Sequence, residues 1–451
     1  MTQKFDLIVI GTGTAGSIIA KECRSAGWRV AIIDSRPFGG TCALRGCDAK
    51  KVLVGAAAVV DWAQRMQGKG ITFQDLQINW QELMQFKRTF TEPVPQKREK
   101  TYADAGIEAF RGEAKFVDET TVQVGDEQLH GRYVAIATGA EPAPLGIAGE
   151  EHLTHSDQFL ELETLPRHIV MIGGGYISME FAHVAARAGA QVRILHQGSR
   201  PLEPFDPDLV ERLVEATRDL GIDLQVNAKV KGIKQQADRL VVQAETEQGE
   251  ATFDTEMVVH GAGRVPAIQA LNLEKAGIKS EKKGISVNDY LQSISNPQVY
   301  AAGDISASGA PPLTPVSSIE GHVVANNLLQ GNHHKPDFTE IPSMVFSLPS
   351  LASVGLQEKT AREQGLKFKT LYESDTSDWY FSRRINEPYS GFKVLVEEGS
   401  DRILGAHLLG SYAEELVNLF ALAIRYKLST EDLKRTTFAF PTAASNLIDI
   451  V

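Results

Sequence analysis

One pattern constrains this chain more than any other. A buried-strand sequence runs straight into a glycine-rich turn and then a helix, and it does so twice. Asp6-Leu7-Ile8-Val9-Ile10 is a continuous apolar strand followed without a spacer by Gly11-Thr12-Gly13-Thr14-Ala15-Gly16. A helical pattern continues to about Gly27, and residues 29–33 form a second strand ending in Asp34. Glycines permit the tight turn and a close backbone approach to a pyrophosphate. The helix N-terminus offers free N–H groups, and the acid can hold ribose hydroxyls. Gly11, Gly13, Gly16 and Asp34 are therefore candidate dinucleotide ligands. The second copy opens at His168-Ile169-Val170-Met171-Ile172-Gly173-Gly174-Gly175-Tyr176-Ile177-Ser178-Met179-Glu180, with residues 191–195 as its second strand. Its candidate ligands are Gly173, Gly175, Tyr176 and Ser178. The expected fold class is α/β, with two Rossmann-like dinucleotide-binding domains.

Between the two copies lies Gly39-Gly40-Thr41-Cys42-Ala43-Leu44-Arg45-Gly46-Cys47-Asp48-Ala49-Lys50-Lys51, which holds two of the three cysteines in 451 residues. If the residues after it are helical, Cys47 sits near a helix N-terminus, where dipole and N–H groups stabilise a thiolate. Such a pair suits a disulfide that opens and closes. No third or fourth ligand lies nearby, so no resident metal site is expected. Three cysteines make no disulfide framework, which points to a reducing cytoplasm, and Cys23 reads as a small core residue. The N-terminus runs directly into a strand, so no signal peptide is expected. No apolar run approaches the ~20 residues that span a bilayer. A net charge of −11 argues against nucleic-acid and polybasic membrane binding. Two nucleotide sites in one chain suit an enzyme that passes hydride from a nicotinamide to a flavin.

The cysteine segment resembles the redox-active segment of the flavoprotein disulfide reductases, the class I pyridine nucleotide–disulfide oxidoreductases that include glutathione reductase, dihydrolipoamide dehydrogenase and mercuric reductase. Ala49 stands where that family usually has proline. The resemblance continues at Ala137-Thr138-Gly139, similar to the family's return to the flavin domain, and at Ala301-Ala302-Gly303-Asp304, similar to the turn whose aspartate holds the ribityl chain. It implies FAD at Gly11, Gly13, Gly16, Asp34, Gly40, Thr41, Thr138, Gly139, Gly303 and Asp304. It further implies NAD(P)H at the second fingerprint and Gly263. The implied domains are an FAD-binding part over residues 1–150, an NAD(P)H-binding domain over 151–265, a return to the central domain over 266–338 and a dimerisation domain over 339–451. A homodimer with active sites shared across its interface is implied. Reduced flavin would leave Cys47 as the thiolate facing it and Cys42 as the interchange thiol. Tyr176 would cover the nicotinamide pocket, and Glu180 would pair with Lys50 or Lys51.

Elsewhere the reading is coarser. Residues 52–69 look helical, residues 80–102 read as a long polar helix interrupted at Pro93 and Pro95, and residues 107–129 alternate like a small antiparallel meander. Asp378-Trp379-Tyr380-Phe381-Ser382-Arg383-Arg384 is an unusual aromatic–basic loop, more readily a solvated loop with packed aromatics than a channel wall.

Two departures bear on chemistry. Where an acid at the end of the second strand would favour NADH, the chain has His196 and Gln197, followed by Gly198, Ser199 and Arg200. Loss of the acid removes repulsion from a 2′-phosphate, and Arg200 could pair with it, so NADPH is expected ahead of NADH. Near the C-terminus the family has histidine, Pro-Thr and a glutamate. This chain has Phe440, Pro441-Thr442 and Ser445. Phenylalanine carries no proton, and general acid–base help is typically worth ~10²–10⁴ in rate. The expected function is electron transfer from NAD(P)H through FAD to the Cys42–Cys47 disulfide and on to a small acceptor, without the usual dyad. Other readings remain open. They are thioether cleavage like that of the family's 2-ketopropyl-coenzyme M carboxylase branch, with Phe440 excluding protons; a redox-sensing flavoprotein; and a diaphorase or quinone reductase.

Overall fold

In a computed structural model, which describes residues 2–451, the chain forms two compact units. The first comprises Met1–Lys50, Phe86–Ala143 and Arg264–Phe338; the second comprises Lys51–Gln85, Pro144–Gly263 and Thr339–Val451.

The first unit is built on a seven-stranded sheet. The strand Gln3–Ile10 lies between Val30–Asp34 and Glu127–Ile136, parallel to both, with Ile8 opposite Ala31 and Val134. Leu7, Ile8, Val9 and Ile10 are all buried, because the sheet is covered on both faces and alternation has no solvent side to report. The helix Thr14–Ser25 packs on the helix Thr314–Gln330 through Gly321, where an added Cβ would meet Ala15 at 3.1 Å. The expected meander is correct only from Ala114 onward: Ala114–Phe116, Thr121–Val124 and Glu127–Ile136 pair antiparallel. Glu108–Arg111 instead extends the parallel sheet beside Val30–Asp34. It is fed by the helix Pro93–Ala105, whose crossover returns the chain in parallel. Pro93 opens that helix, at a position where a missing N–H costs nothing.

In the second unit, a parallel sheet runs in the order Asp223–Gln225, Gln191–Leu195, His168–Ile172, Met257–His260, Leu153–Thr154. A three-stranded antiparallel sheet of Lys229–Gln236, Arg239–Thr246 and Gly249–Thr255 follows; the sequence reading did not separate it. The C-terminal part is a five-stranded antiparallel sheet that includes Gly391–Glu397 and Ile403–Leu409 and is backed by the helix Ala413–Arg425. No helix among the described residues is long and apolar enough to cross a membrane.

Candidate redox and dinucleotide sites

The first fingerprint makes a cradle of bare backbone. Gly11 has φ +110°, and a Cβ there would stand 2.2 Å from the Ala137 carbonyl oxygen. Gly40 has φ +73°, and its Cβ would meet the Gly13 Cα at 2.4 Å. These are conformations and distances that only glycine tolerates, and they bring bare backbone together at the start of the helix Thr14–Ser25, whose first N–H groups have no intrahelical partner. Gly16 sits against the Gly11 carbonyl in the same turn. The residues therefore fit a dinucleotide pyrophosphate. Asp34 is partly engaged already: its Oδ2 accepts from the Thr12 N–H at 2.9 Å and the Thr12 hydroxyl at 2.6 Å, and its Oδ1 accepts from the Arg36 N–H at 3.0 Å. The Thr12 hydroxyl in turn accepts from the Gly39 N–H at 3.0 Å, tying the fingerprint to the cysteine segment. The Thr138 hydroxyl donates to the Ala267 carbonyl at 2.9 Å, beside the Gly139 turn.

The cysteine segment follows directly. Cys42 lies in the short helix Gly40–Arg45, next to exposed Thr41, and Cys47 is the first residue of the helix Cys47–Met66. Both cysteines are free thiols here. The helix begins five residues before the expected Val52. Ala49 keeps the N–H that proline would lack and is fully buried. Hydrogen bonding from Cys42 lowers the Cys47 thiol to about 6 against the opposing effect of burial, with further help from Thr314 and the charge of Lys50. The same shared proton raises Cys42, and burial adds to it. In the reduced pair Cys47 is thus the thiolate and Cys42 the thiol. Thr314, 3.6 Å from Cys47 Sγ, opens the helix Thr314–Gln330 and was not singled out from sequence. Its one sequence mark is Thr314-Pro315 shortly after the Gly303-Asp304 turn.

That turn has a buried acidic floor. The Gly303 N–H donates to Glu320 Oε2 at 2.6 Å. Glu320 is only 1% exposed. Burial pushes it up to about 7, with the Asp304 charge adding to the rise, while Ser308 and the Gly303 amide oppose it. Asp304 is also raised by burial and partly restored by Arg264. Glu320 also carries a mark in the sequence. With Val316, Val323, Val324 and Asn327 it occupies one buried helical stripe, an acid where the period calls for an apolar residue.

In the second fingerprint, Gly173 has φ +100° and lies against Gly261 and Ala262, and Gly175 stands 3.4 Å, by its would-be Cβ, from the Gly261 carbonyl. Ser178 is buried against Gly261, and Gly263 has φ +111°. Tyr176 opens the helix Tyr176–Arg187 with a half-exposed ring. Glu180, 1% exposed, accepts from the Phe346 N–H at 2.8 Å, and Lys51 Nζ lies 3.9 Å over the Phe346 ring. His196 Nδ1 accepts from the Gly174 N–H at 3.0 Å, which leaves Nε2 to donate to the Arg200 carbonyl at 2.8 Å, so the ring is a neutral brace. Gln197 is exposed. Arg200 donates to the Phe205 and Glu203 carbonyls, both at 3.0 Å, and so closes its own loop rather than reaching outward from it.

At the C-terminus, Phe440 is 84% exposed. It lines a recess of about 420 Å³ with Trp379, Tyr380, Phe381, Pro441 and Ser445. The aromatic loop has exposed Asp378, Tyr380, Arg383 and Arg384 and packed aromatics, Trp379 on Phe392 and Phe381 on Tyr412, and three of its rings line this recess. The Ser445 hydroxyl donates to the Thr442 carbonyl at 2.7 Å, and the Ser445 N–H donates to the Thr442 hydroxyl at 3.3 Å. Ser445 closes its own turn instead of orienting residue 440.

Residues 5–321 match the model of the pyridine nucleotide-disulphide oxidoreductase family, and residues 341–449 match its dimerisation domain. A mercuric reductase of Staphylococcus aureus is 31% identical across 98% of this chain and 81% of its own length. A glutathione reductase of Burkholderia cepacia is 32% identical across 99% of this chain and 98% of its own length. Among solved structures, the Cu(II) complex of the HOCl-induced flavoprotein disulfide reductase RclA from Escherichia coli is similar at 28% identity. Its TM-score is 0.88, over 100% of this chain and 99% of that one.

Proposed function

From the premise that this chain belongs to the pyridine nucleotide-disulphide oxidoreductase family, FAD-dependent enzymes that form dimers through a dedicated domain, we propose that it is an NAD(P)H-dependent reductase delivering electrons through Cys42 and Cys47 to a soft, thiophilic metal cation. The observation that carries this reading is a lowered Cys47 thiol beside a Cys42 thiol, in a chain whose exposed residue 440 is phenylalanine. Reducing a disulfide substrate produces a thiolate leaving group that needs a proton, and Phe440 has none to give. Reducing a metal cation needs no such proton. One divalent ion taking two electrons, or two ions taking one each, leaves the Cys42–Cys47 disulfide and releases the Cys42 proton to solvent. A thiolate–thiol pair is also the right soft donor set for such an ion. The names of two relatives, a mercuric reductase and a flavoprotein solved with Cu(II), support the same class.

FAD, when bound, supplies the link between two-electron hydride chemistry at the nicotinamide and thiol chemistry at the cysteines. Gly11, Gly13, Gly16 and Gly40 would hold its pyrophosphate, and Asp304 its ribityl chain. Thr314 and Lys50 stabilise the Cys47 thiolate. The nucleotide we propose is NADPH ahead of NADH, because neutral His196 replaces the acid that would repel a 2′-phosphate. The margin is small, because Arg200 spends donors on its own loop. The thioether-cleaving alternative gains no support at Ser445, whose hydroxyl is committed to Thr442.

The test is anaerobic NADPH oxidation by the holoenzyme with Hg(II) or Cu(II), compared with glutathione disulfide and a quinone. Metal-dependent turnover that disappears in Cys42→Ser supports the proposal. Faster turnover with glutathione disulfide overturns it. Quinone turnover that survives Cys42→Ser would instead identify a diaphorase.

A further inference from the structure

We infer that Glu320 makes FAD binding proton-coupled: the flavin-binding turn accepts its cofactor with Glu320 as the neutral acid. Three structural observations point there. Glu320 Oε2 holds the Gly303 amide, so the acid sets the turn that carries Asp304. Its other oxygen, Oε1, is buried without a hydrogen-bond partner among the described residues. Gly321, the next residue, packs on Ala15 and Ile18 in the first turns of the fingerprint helix. The acid therefore sits beneath the turn and beside the positive end of the helix where the anionic pyrophosphate is expected.

An ionised carboxylate with one bare oxygen in that position is costly. It is desolvated, it faces Asp304, and it would face two further negative charges once the cofactor is present. A protonated carboxyl removes both repulsions, keeps the Gly303 bond through Oε2 and gives Oε1 a proton to donate. The other groups around it compensate only in part. Arg264 acts on Asp304, and Ala15 and Ile18 from the fingerprint helix are uncharged. Further along the same two helices, Glu22 and His322 pair with each other in exposed positions. Cys47 meets the helix at Thr314, and in the oxidised enzyme it forms no thiolate. Ser308, through its side chain, and the Gly303 amide favour the ionised acid, and burial outweighs both.

The sign follows from Glu320 ionising at about 7 before the cofactor binds. Below that value binding needs no proton from solvent. Above it, each complex takes up one proton, so FAD affinity falls by about tenfold per pH unit until the acid of the complex itself ionises.

The test is equilibrium dialysis of the oxidised holoenzyme against graded free FAD from about pH 6 to about pH 9, with flavin fluorescence as the readout. Wild type should retain FAD at the acid end and lose it progressively through the alkaline half. Glu320→Gln, which mimics the neutral acid, should bind with little pH dependence and exceed wild type at the alkaline end. Net proton uptake on adding FAD in weak buffer near pH 8 is a second readout on wild type alone, so the inference does not hang on the variant folding. A wild-type affinity that is flat across the range, absence of proton uptake, or the same slope in Glu320→Gln overturns it.

Discussion

At the scale of single residues, the cysteine pair is asymmetric by construction. The largest contribution to the Cys47 thiolate is the Cys42 hydrogen bond, ahead of Thr314 and Lys50. Cys47 is depressed, so its thiolate is present above about 6 and is lost as pH falls through that value. A thiolate–flavin absorbance band in the reduced holoenzyme should therefore titrate with a midpoint near 6. Replacing Thr314 by valine removes one of the lowering contacts, and the midpoint should move upward. A midpoint unmoved by Thr314→Val would show that the threonine contact is not made in solution. The same asymmetry frames Phe440. Phe440→His restores a group that can protonate a leaving thiolate, and disulfide reduction should rise toward the ~10²–10⁴ range of general acid–base help. Metal-ion reduction should change far less, because it needs no proton at the acceptor. Equal gains with both acceptors would remove the proton argument for a metal substrate.

At the scale of elements, the helices that carry the two halves of the chemistry are held at their far ends by buried charge. Arg187, near the end of the helix Tyr176–Arg187, pairs with Asp61 at 2.6 Å. Asp61 also pairs with Arg65 at 2.8 Å, and Arg65 reaches Glu387 at 3.4 Å. Arg187 also donates to the Leu348 carbonyl at 3.1 Å, and Glu387 accepts from the Ser411 N–H at 2.7 Å. Breaking a buried pair costs about 3–5 kcal/mol, and because Asp61 keeps Arg65 when Arg187 is removed, the lower end of that range is expected here. Arg187→Met should lower the unfolding free energy by about that much, while Arg29→Met, at an exposed pair with Glu108, should lower it by about 1 kcal/mol or less. Equal small shifts in both would mean that water reaches the network. None of this network was legible in the sequence, because its members lie far apart along the chain and each alone reads as a surface charge. The fingerprints were legible for the opposite reason: strand, glycine turn and helix are contiguous, and the glycine requirement is local. The misplaced strand Glu108–Arg111 shows the limit. Four alternating residues fit either edge of the seven-stranded sheet equally well, and only the crossover through Pro93–Ala105 decides the pairing. The contacts of Arg200 were not legible likewise, since nothing in its neighbours reveals that the loop carbonyls of Glu203 and Phe205 accept from it.

At the scale of the whole molecule, the C-terminal part leaves unusual apolar surface bare on a single chain. Leu422 and Tyr426, four residues apart at the end of the helix Ala413–Arg425, are 52% and 69% exposed, and Phe440 is 84% exposed. All three fall within the residues that match the dimerisation domain. Spacing of four places Leu422 and Tyr426 on one helix face, and the match to the dimerisation domain makes that face the one to test as the interface. A double variant, Leu422→Asp with Tyr426→Asp, should therefore sediment as a monomer where wild type sediments as a dimer. The consequence for chemistry depends on where residue 440 acts. If a partner's C-terminal segment completes each cysteine site, the monomer should still bleach its flavin with NADPH, because both nucleotide fingerprints belong to one chain. Its acceptor turnover should fall by about tenfold or more, because the wall that positions the acceptor has been removed. Phe440→Ala in the intact dimer should then reproduce part of that loss without changing the sedimentation. A monomer with undiminished acceptor turnover would place the whole site within one chain, and Phe440 would be left with an assembly role only.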